Sequence, residues 1–330
     1  MRLTLAAPDL LAMDRSLLAE APSLARLARY AGPPVTQRGT LDAMLISQLA
    51  PQDSTAAAPL AALGAGLDPG PAYVLRADPV ALVAGRNDVA LAARIDDLDE
   101  SDTDALVATL NAHFGGDGLA FRAPRPDAWF VLVDHTPDLT TTPLAAVRGA
   151  IYPWLPGGND AARWRRWMSE MQMLLHEHPA NVAREARGRA PVTGIWIADG
   201  GRLAEPRQGP ATPIFAPPGA SGDVARGLAR QGGTSAFVLP THFAALPEQD
   251  GTVVVLDRAE GANASAWQSR WLDPAVAALE RGSLTALSLL ADGQGLAATW
   301  HAQRPAWTRR AAAKFAPRPF APPLSGEDDA

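Results

Sequence analysis

The sequence contains no cysteine and a single lysine, Lys314, among its 330 residues. Without cysteine the chain can form no disulfide, no thiolate-bound zinc or iron–sulfur site and no thiol nucleophile. One lysine leaves almost no candidate for Schiff-base or phosphate-loop lysine chemistry. No apolar run approaches the ~20 residues that a membrane-spanning helix needs, and no signal-peptide core precedes Pro8 and Asp9. We therefore expect a cytoplasmic protein without a membrane segment.

Positive charge is also in deficit. The chain has 29 Lys and Arg against 35 Asp and Glu, a formal net charge of −6. This balance gives no electrostatic reason to expect a nucleic-acid partner. At roughly 150 residues per domain, the length predicts about two domains.

The order of predicted elements changes near residue 71, after an Ala-, Gly- and Pro-rich stretch. The apolar pattern of residues 73–134 predicts the succession strand, strand, helix, strand, strand, which is typical of a small α+β module. Apolar residues at spacings of three and four then predict a helix that ends before Pro179. A buried strand follows at 192–198, and a hairpin is predicted across Asp292-Gly293.

Two histidines near the end of the predicted helix, His176 and His178, suggest a metal site. On a helix, residues two apart point ~200° away from each other, whereas helical zinc sites place their histidines four apart. The structural interpretation, a histidine near the carbonyls at a helix C-terminus, is the more common one. His178 and Asn181 flank Pro179 at a helix–helix junction, where such side chains either cap backbone groups or hold a ligand.

The strongest motif signal lies in residues 170–201. This segment contains His178-Pro-Ala-Asn-Val-Ala-Arg184 and Ile195-Trp-Ile-Ala-Asp-Gly-Gly201. Further motifs are Arg76-Ala-Asp-Pro-Val80, Thr140-Thr-Thr-Pro143 and Arg226-Gly-Leu-Ala229. Together they resemble the proteobacterial RpfE-type regulatory proteins, a group related to cofactor-independent phosphoglycerate mutase of the archaeal type.

This resemblance implies an α/β fold with an alkaline-phosphatase-like core and an inserted, smaller α+β domain. The core would comprise residues 1–70 and 190–312, and the inserted domain residues 71–189. The Pro-rich and then acidic residues 313–330 are predicted to form a disordered tail.

The mutase resemblance also implies two divalent metals such as Mn²⁺, held by Asp and His ligands, and a serine that carries the phosphoryl group. The sequence departs from that pattern. Thr40 occupies the serine position, residues 257–263 contain no histidine, and Leu144-Ala145-Ala146 replaces a His-Asp pair. A divalent ion contributes several kcal/mol to a phosphoryl-transfer transition state, and it is not retained without its ligands.

We therefore predict a degenerate, non-catalytic mutase relative without metal or cofactor, acting as a regulatory or binding protein. Because arginine pairs bidentately with anions, an Arg- and His-containing domain junction suits a small phosphorylated or carboxylated ligand. The predicted ligand-binding residues are Arg76, Asp78, Thr141, Thr142, His178, Asn181 and Arg184.

Two alternatives stay open. In one, these seven residues maintain helix junctions and the protein acts through a protein partner. In the other, the chain is an active metal-dependent phosphoglycerate mutase or phosphatase that uses two divalent ions, with Thr40 as its catalytic residue.

Overall fold

The computed structural model describes residues 1–13, 22–50, 56–86, 88–205, 212–258 and 267–303. The strands are β1 (Arg2–Ala7), β2 (Val35–Arg38), β3 (Tyr73–Ala84), β4 (Val89–Arg94), β5 (Leu119–Arg125), β6 (Ala128–Val133), β7 (Gly194–Gly201), β8 (Ile214–Ala216), β9 (Phe237–Val238), β10 (Thr252–Val255), β11 (Ala286–Gly293) and β12 (Leu296–Gln303). The helices are α1 (Pro22–Tyr30), α2 (Leu41–Leu49), α3 (Ala57–Ala65), α4 (Glu100–Phe114), α5 (Ala161–His176), α6 (Pro179–Ala186), α7 (Asp223–Gln231) and α8 (Asp273–Arg281). A π-helical turn at Gln268–Leu272 leads directly into α8. Short 3-10 turns lie at Leu10–Ala12, Gly115–Asp117, Leu144–Ala146, Tyr152–Trp154, Ala220–Gly222 and Phe243–Ala245. The predicted tail lies outside the described residues.

The chain folds into two compact units. The first contains Met1–Leu49, Arg207–Ala225 and Gly232–Ala330, and the second contains Ala50–Pro206 and Arg226–Gln231. The boundaries predicted at 71 and 190 differ from this division. The main difference is β7, which was expected in the first core but pairs with β3 in the second unit, with Asp78 opposite Trp196. A buried apolar run predicts a strand without revealing its partner.

The first unit contains a seven-stranded sheet in the order β2-β12-β11-β1-β10-β8-β9. The strands from β11 to β9 run parallel, whereas β12 and β2 are antiparallel additions at one edge. Leu5 of the central strand β1 lies opposite Leu289 and Val254, and all three are fully buried. Leu27 of α1 and Leu279 of α8 pack in the same core. The predicted α/β class is confirmed.

The second unit is built on an antiparallel sheet around the long strand β3. Along one side β3 pairs with β7, and along the other it pairs first with β6 and then with β4, while β6 also pairs with β5. Phe114 of α4 and Trp164 and Trp167 of α5 pack with Phe121 and Trp196 of the sheet. Among the described residues, no helix combines the length and the apolar character needed to cross a membrane.

Candidate functional site

A short junction formed by Glu177 and His178 connects α5 to α6. Pro179 is the first residue of α6, a position where its missing N–H costs nothing. His178 caps this helix, because its Nδ1 accepts the backbone N–H of Ala180 at 3.2 Å. Its Nε2 lies 2.9 Å from Thr109 Oγ1 on α4. Since Nδ1 accepts, Nε2 carries the proton and donates it to Thr109. Burial lowers the pKa of His178, which favours this neutral form.

The side-chain amide of Asn181 forms hydrogen bonds with main-chain groups. Its Nδ2 donates to the carbonyls of Leu175 and Val192, both at 2.7 Å. Its Oδ1 accepts the N–H of Val192 at 2.8 Å. Both amide hydrogens are therefore occupied. The side chain ties the end of α5 to the segment that leads into β7.

Arg184 is a fully buried guanidinium between two carboxylates. Its Nε donates to the Ala190 carbonyl at 3.0 Å, its Nη1 lies 3.4 Å from Asp102 Oδ2, and its Nη2 forms a close ion pair with Asp97. Asp102 also accepts from Arg187 at 2.8 Å. These contacts anchor α6 to the start of α4. They favour a structural role for Arg184 over direct binding of an anion.

Arg76 of β3 lies in a different polar setting, at the end of β7. Its Nε is 3.5 Å from Asp199 Oδ2, and its side chain is 12% exposed. Asp199 has φ of +56°, a left-handed conformation that Asp tolerates better than most residues. Its backbone N–H donates to Thr141 Oγ1 at 3.2 Å. Arg76, Thr141 and Asp199 together are called the Arg76 cluster.

The two remaining predicted residues belong to the framework of the second unit. Asp78 Oδ1 lies 3.3 Å from Arg94 Nη2, and the Thr142 carbonyl accepts from Trp196 Nε1 at 2.8 Å. The contacts of the seven predicted residues therefore fall into distinct sets. Arg76 and Thr141 share a polar cluster, whereas the residues of the α5–α6 junction hold helices together.

In the first unit, polar residues from three elements meet where β11 ends. Asp292 accepts the N–H of Asp9 on Oδ1 at 2.9 Å and the N–H of Leu41 on Oδ2 at 2.7 Å. It thereby links the end of β1 and the start of α2 to β11. Burial raises the pKa of Asp292 to about 6, the two N–H groups oppose this increase, and the Asp9 and Asp42 carboxylates add to it.

Thr40 and Arg258 complete this region. Thr40 Oγ1 accepts the N–H of Ala43 at 3.3 Å, as the residue before a helix commonly does. Arg258, which follows β10, places its Nε 3.2 Å from Asp9 Oδ2. The carboxyl ends of parallel strands are the usual ligand-binding edge of open α/β sheets. Asp9, Thr40, Asp42, Arg258 and Asp292 are called the carboxyl-edge cluster.

The donor set of this cluster does not fit two divalent ions. Both oxygens of Asp292 face backbone N–H groups, and one oxygen of Asp9 faces a guanidinium. Across the described ranges, no three His, Asp or Glu side chains are grouped so that they could hold a metal ion. A two-metal site needs several such ligands around each ion.

Sequence reasoning missed three residues of these clusters: Asp199, Arg258 and Asp292. Asp292 was assigned to a hairpin turn and Asp199 to a strand end. A usable signal was present for Asp292, because Asp9, Asp257 and Asp292 each follow or end a short apolar run that predicts a buried strand. In a parallel sheet those positions meet at one edge.

Comparisons with known proteins found no matching family model and no matching curated protein. The chain is similar to the solved structure of a cofactor-independent phosphoglycerate mutase from Thermoplasma acidophilum, with 16% identity, coverage of 92% of this chain and 89% of that chain, and a TM-score of 0.38. It is also similar to the PH0037 protein from Pyrococcus horikoshii, with 14% identity, coverage of 91% and 87%, and a TM-score of 0.45. At such low identity, the roles of individual residues must follow from their own contacts.

Proposed function

We propose that this chain is a non-catalytic relative of the cofactor-independent phosphoglycerate mutases and acts by binding a small phosphorylated or carboxylated ligand. The non-catalytic part of the proposal rests on one observation: Asp292 and Asp9, at the carboxyl edge, already form hydrogen bonds or ion pairs within the protein. Asp292 holds two backbone N–H groups, and Asp9 is paired with Arg258. A regulatory role is implied by the resemblance to RpfE-type proteins.

The Arg76 cluster is the best candidate for the ligand site among the predicted residues. The Arg76 side chain is 12% exposed and pairs with Asp199, whose backbone N–H donates to the Thr141 hydroxyl, and arginine binds phosphate and carboxylate through paired hydrogen bonds. Asp199 competes for the same guanidinium. An incoming anion therefore has to displace this carboxylate, which predicts modest affinity.

The test is calorimetric titration with 3-phosphoglycerate, glycerol phosphate, glycerate and inorganic phosphate. We expect saturable heat with the phosphorylated compounds. Arg76→Gln should weaken binding by about tenfold to a hundredfold, since a charge-assisted hydrogen bond contributes about 1.5–3 kcal/mol. Asp199→Asn should strengthen binding because it removes the competing charge, and Asn also tolerates the left-handed backbone.

Arg94→Gln is the matched control, because Arg94 is another arginine of the same sheet with a carboxylate partner. It should leave the affinity unchanged. The absence of heat with all four compounds would reject ligand binding and favour the protein-partner alternative. Equal effects of Arg76→Gln and Arg94→Gln would reject the site.

The second candidate is an active metal-dependent phosphoglycerate mutase or phosphatase. It is favoured by the proximity of the Asp9 and Asp42 carboxylates to Asp292, next to the helix that Thr40 caps. Metal analysis of the purified protein and a coupled mutase assay with added Mn²⁺ test it. Turnover that is lost in Thr40→Ala would establish this candidate and reject the non-catalytic proposal.

A further inference from the structure

A surface groove of about 760 Å³ lies beside the α5–α6 junction in the second unit. Its apolar wall consists of Leu82, Ala84, Val89, Met173, Leu174 and Pro179. Met173 is 71% exposed. The volume lies within the ~300–1,000 Å³ typical of small-molecule sites, which are also mostly apolar with a few polar groups. This cavity is called the junction groove.

Two of the polar side chains that line the junction groove already form hydrogen bonds within the protein. Thr193 Oγ1 donates to the Leu82 carbonyl at 3.1 Å and accepts the Leu82 N–H at 2.6 Å. His178 uses one ring nitrogen for the α6 cap and the other for Thr109. The groove therefore offers a ligand neither a cationic histidine at position 178 nor a spare hydroxyl hydrogen at position 193.

The remaining charge of the junction groove is negative. Glu177 is exposed, lines the groove and forms no ion pair within the described part of the chain. The C-terminus of α5 and the N-terminus of α6 both lie at the groove, and their opposite partial charges offset each other, so the Glu177 carboxylate determines the sign of the local charge. His176 and Gln172 are the other polar residues of the lining.

We infer that the junction groove binds a small organic cation, with its apolar body on the β3–β4 side chains and its ammonium group directed at Glu177. An anion is disfavoured at the same place, because it would face the Glu177 carboxylate. This site is independent of the anion site proposed at the Arg76 cluster.

The experiment compares three probes of one shape at pH 8: 4-phenylbutylamine, 4-phenylbutanol and 4-phenylbutyrate. Their binding to the full chain is measured by calorimetry or by ligand-detected NMR. The amine should bind about two- to fivefold more tightly than the alcohol, the range expected for a partly exposed charge pair. The carboxylate should bind most weakly.

Two variants separate the charge from the apolar wall. Glu177→Gln should reduce the preference for the amine over the alcohol, whereas Glu185→Gln, on exposed α6 surface outside the groove, should keep it. Leu82→Ala should weaken all three probes alike, with folding checked by circular dichroism. The inference is overturned if no probe binds at ~10 mM, if the carboxylate is preferred, or if the amine preference is unchanged in Glu177→Gln.

Discussion

Lowering the pH from 7 to 5 should stabilise the native chain through Asp292. This carboxyl is 8% exposed and has a pKa of about 6, raised from an ordinary value of 3.8. The folded state therefore binds the proton more tightly than the unfolded state does. Its stabilising contribution is complete below the unfolded pKa and is lost as the pH rises through the folded pKa.

The size of the effect follows from the pKa difference. About two pKa units correspond to about 3 kcal/mol, which is the cost of keeping Asp292 ionised in the native state at neutral pH. About 1 kcal/mol of this is recovered between pH 7 and pH 5, and most of the rest below pH 5. Asp292→Asn removes the titration but supplies only one acceptor for the two N–H groups, so it carries its own cost of about 1–3 kcal/mol at every pH.

The assay is urea unfolding of wild type and Asp292→Asn at pH 7, 6 and 5. The difference in free energy of unfolding between the two proteins should shift by about 1 kcal/mol in favour of wild type over this range. Asp250→Asn is the control, since Arg2 lowers the pKa of exposed Asp250 and its contribution changes in the opposite direction. If the difference in free energy of unfolding between wild type and Asp292→Asn does not change with pH, Asp292 is not a buried carboxyl with a raised pKa, and the reasoning is refuted.

Two further predictions concern packing in the second unit. Arg184→Met should cost about 3 kcal/mol because it removes a buried guanidinium that pairs with Asp97 and Asp102 and donates to the Ala190 carbonyl, whereas Arg187→Met, at a half-exposed position, should cost about 1 kcal/mol or less in urea unfolding. Gly227→Ala should destabilise by about 3 kcal/mol or prevent folding, because its Cβ would lie 2.0 Å from the Leu60 carbonyl oxygen. Gly116→Ala has open space around its Cβ and should change the melting temperature little.

Several secondary-structure elements were predicted correctly because they depend on residues that are close together in the sequence. The order of strands and helix over residues 73–134, the helix ending near His176 and the pairing of the last two described strands follow from apolar periodicity and turn residues. The sequence interpretation placed the strand at 192–198 in the core domain, whereas β7 pairs with β3, because a fully buried strand shows the same apolar run in either sheet.

The hairpin turn shows why the role of Asp292 was missed. Asp292-Gly293 is a favoured two-residue turn sequence, yet the turn lies at Gln294 and Gly295, both with positive φ. Gly293 is needed elsewhere, because a Cβ there would lie 2.3 Å from the Ala12 backbone nitrogen. Because the turn is displaced by two residues, Asp292 remains within β11. There it accepts the N–H of Asp9, after β1, and the N–H of Leu41, at the start of α2. The close approach of Gly293 to Ala12 joins residues far apart in the chain, so the turn sequence alone does not reveal that the turn is displaced.

Titration of the purified protein with Mn²⁺, followed by the coupled mutase assay, tests the central claim most directly. In the carboxyl-edge cluster, Asp292 accepts two backbone N–H groups and Asp9 pairs with Arg258. We therefore expect no saturable binding of two ions per chain and no mutase turnover. Two tightly bound ions, together with turnover that disappears in Asp9→Asn, would contradict the account.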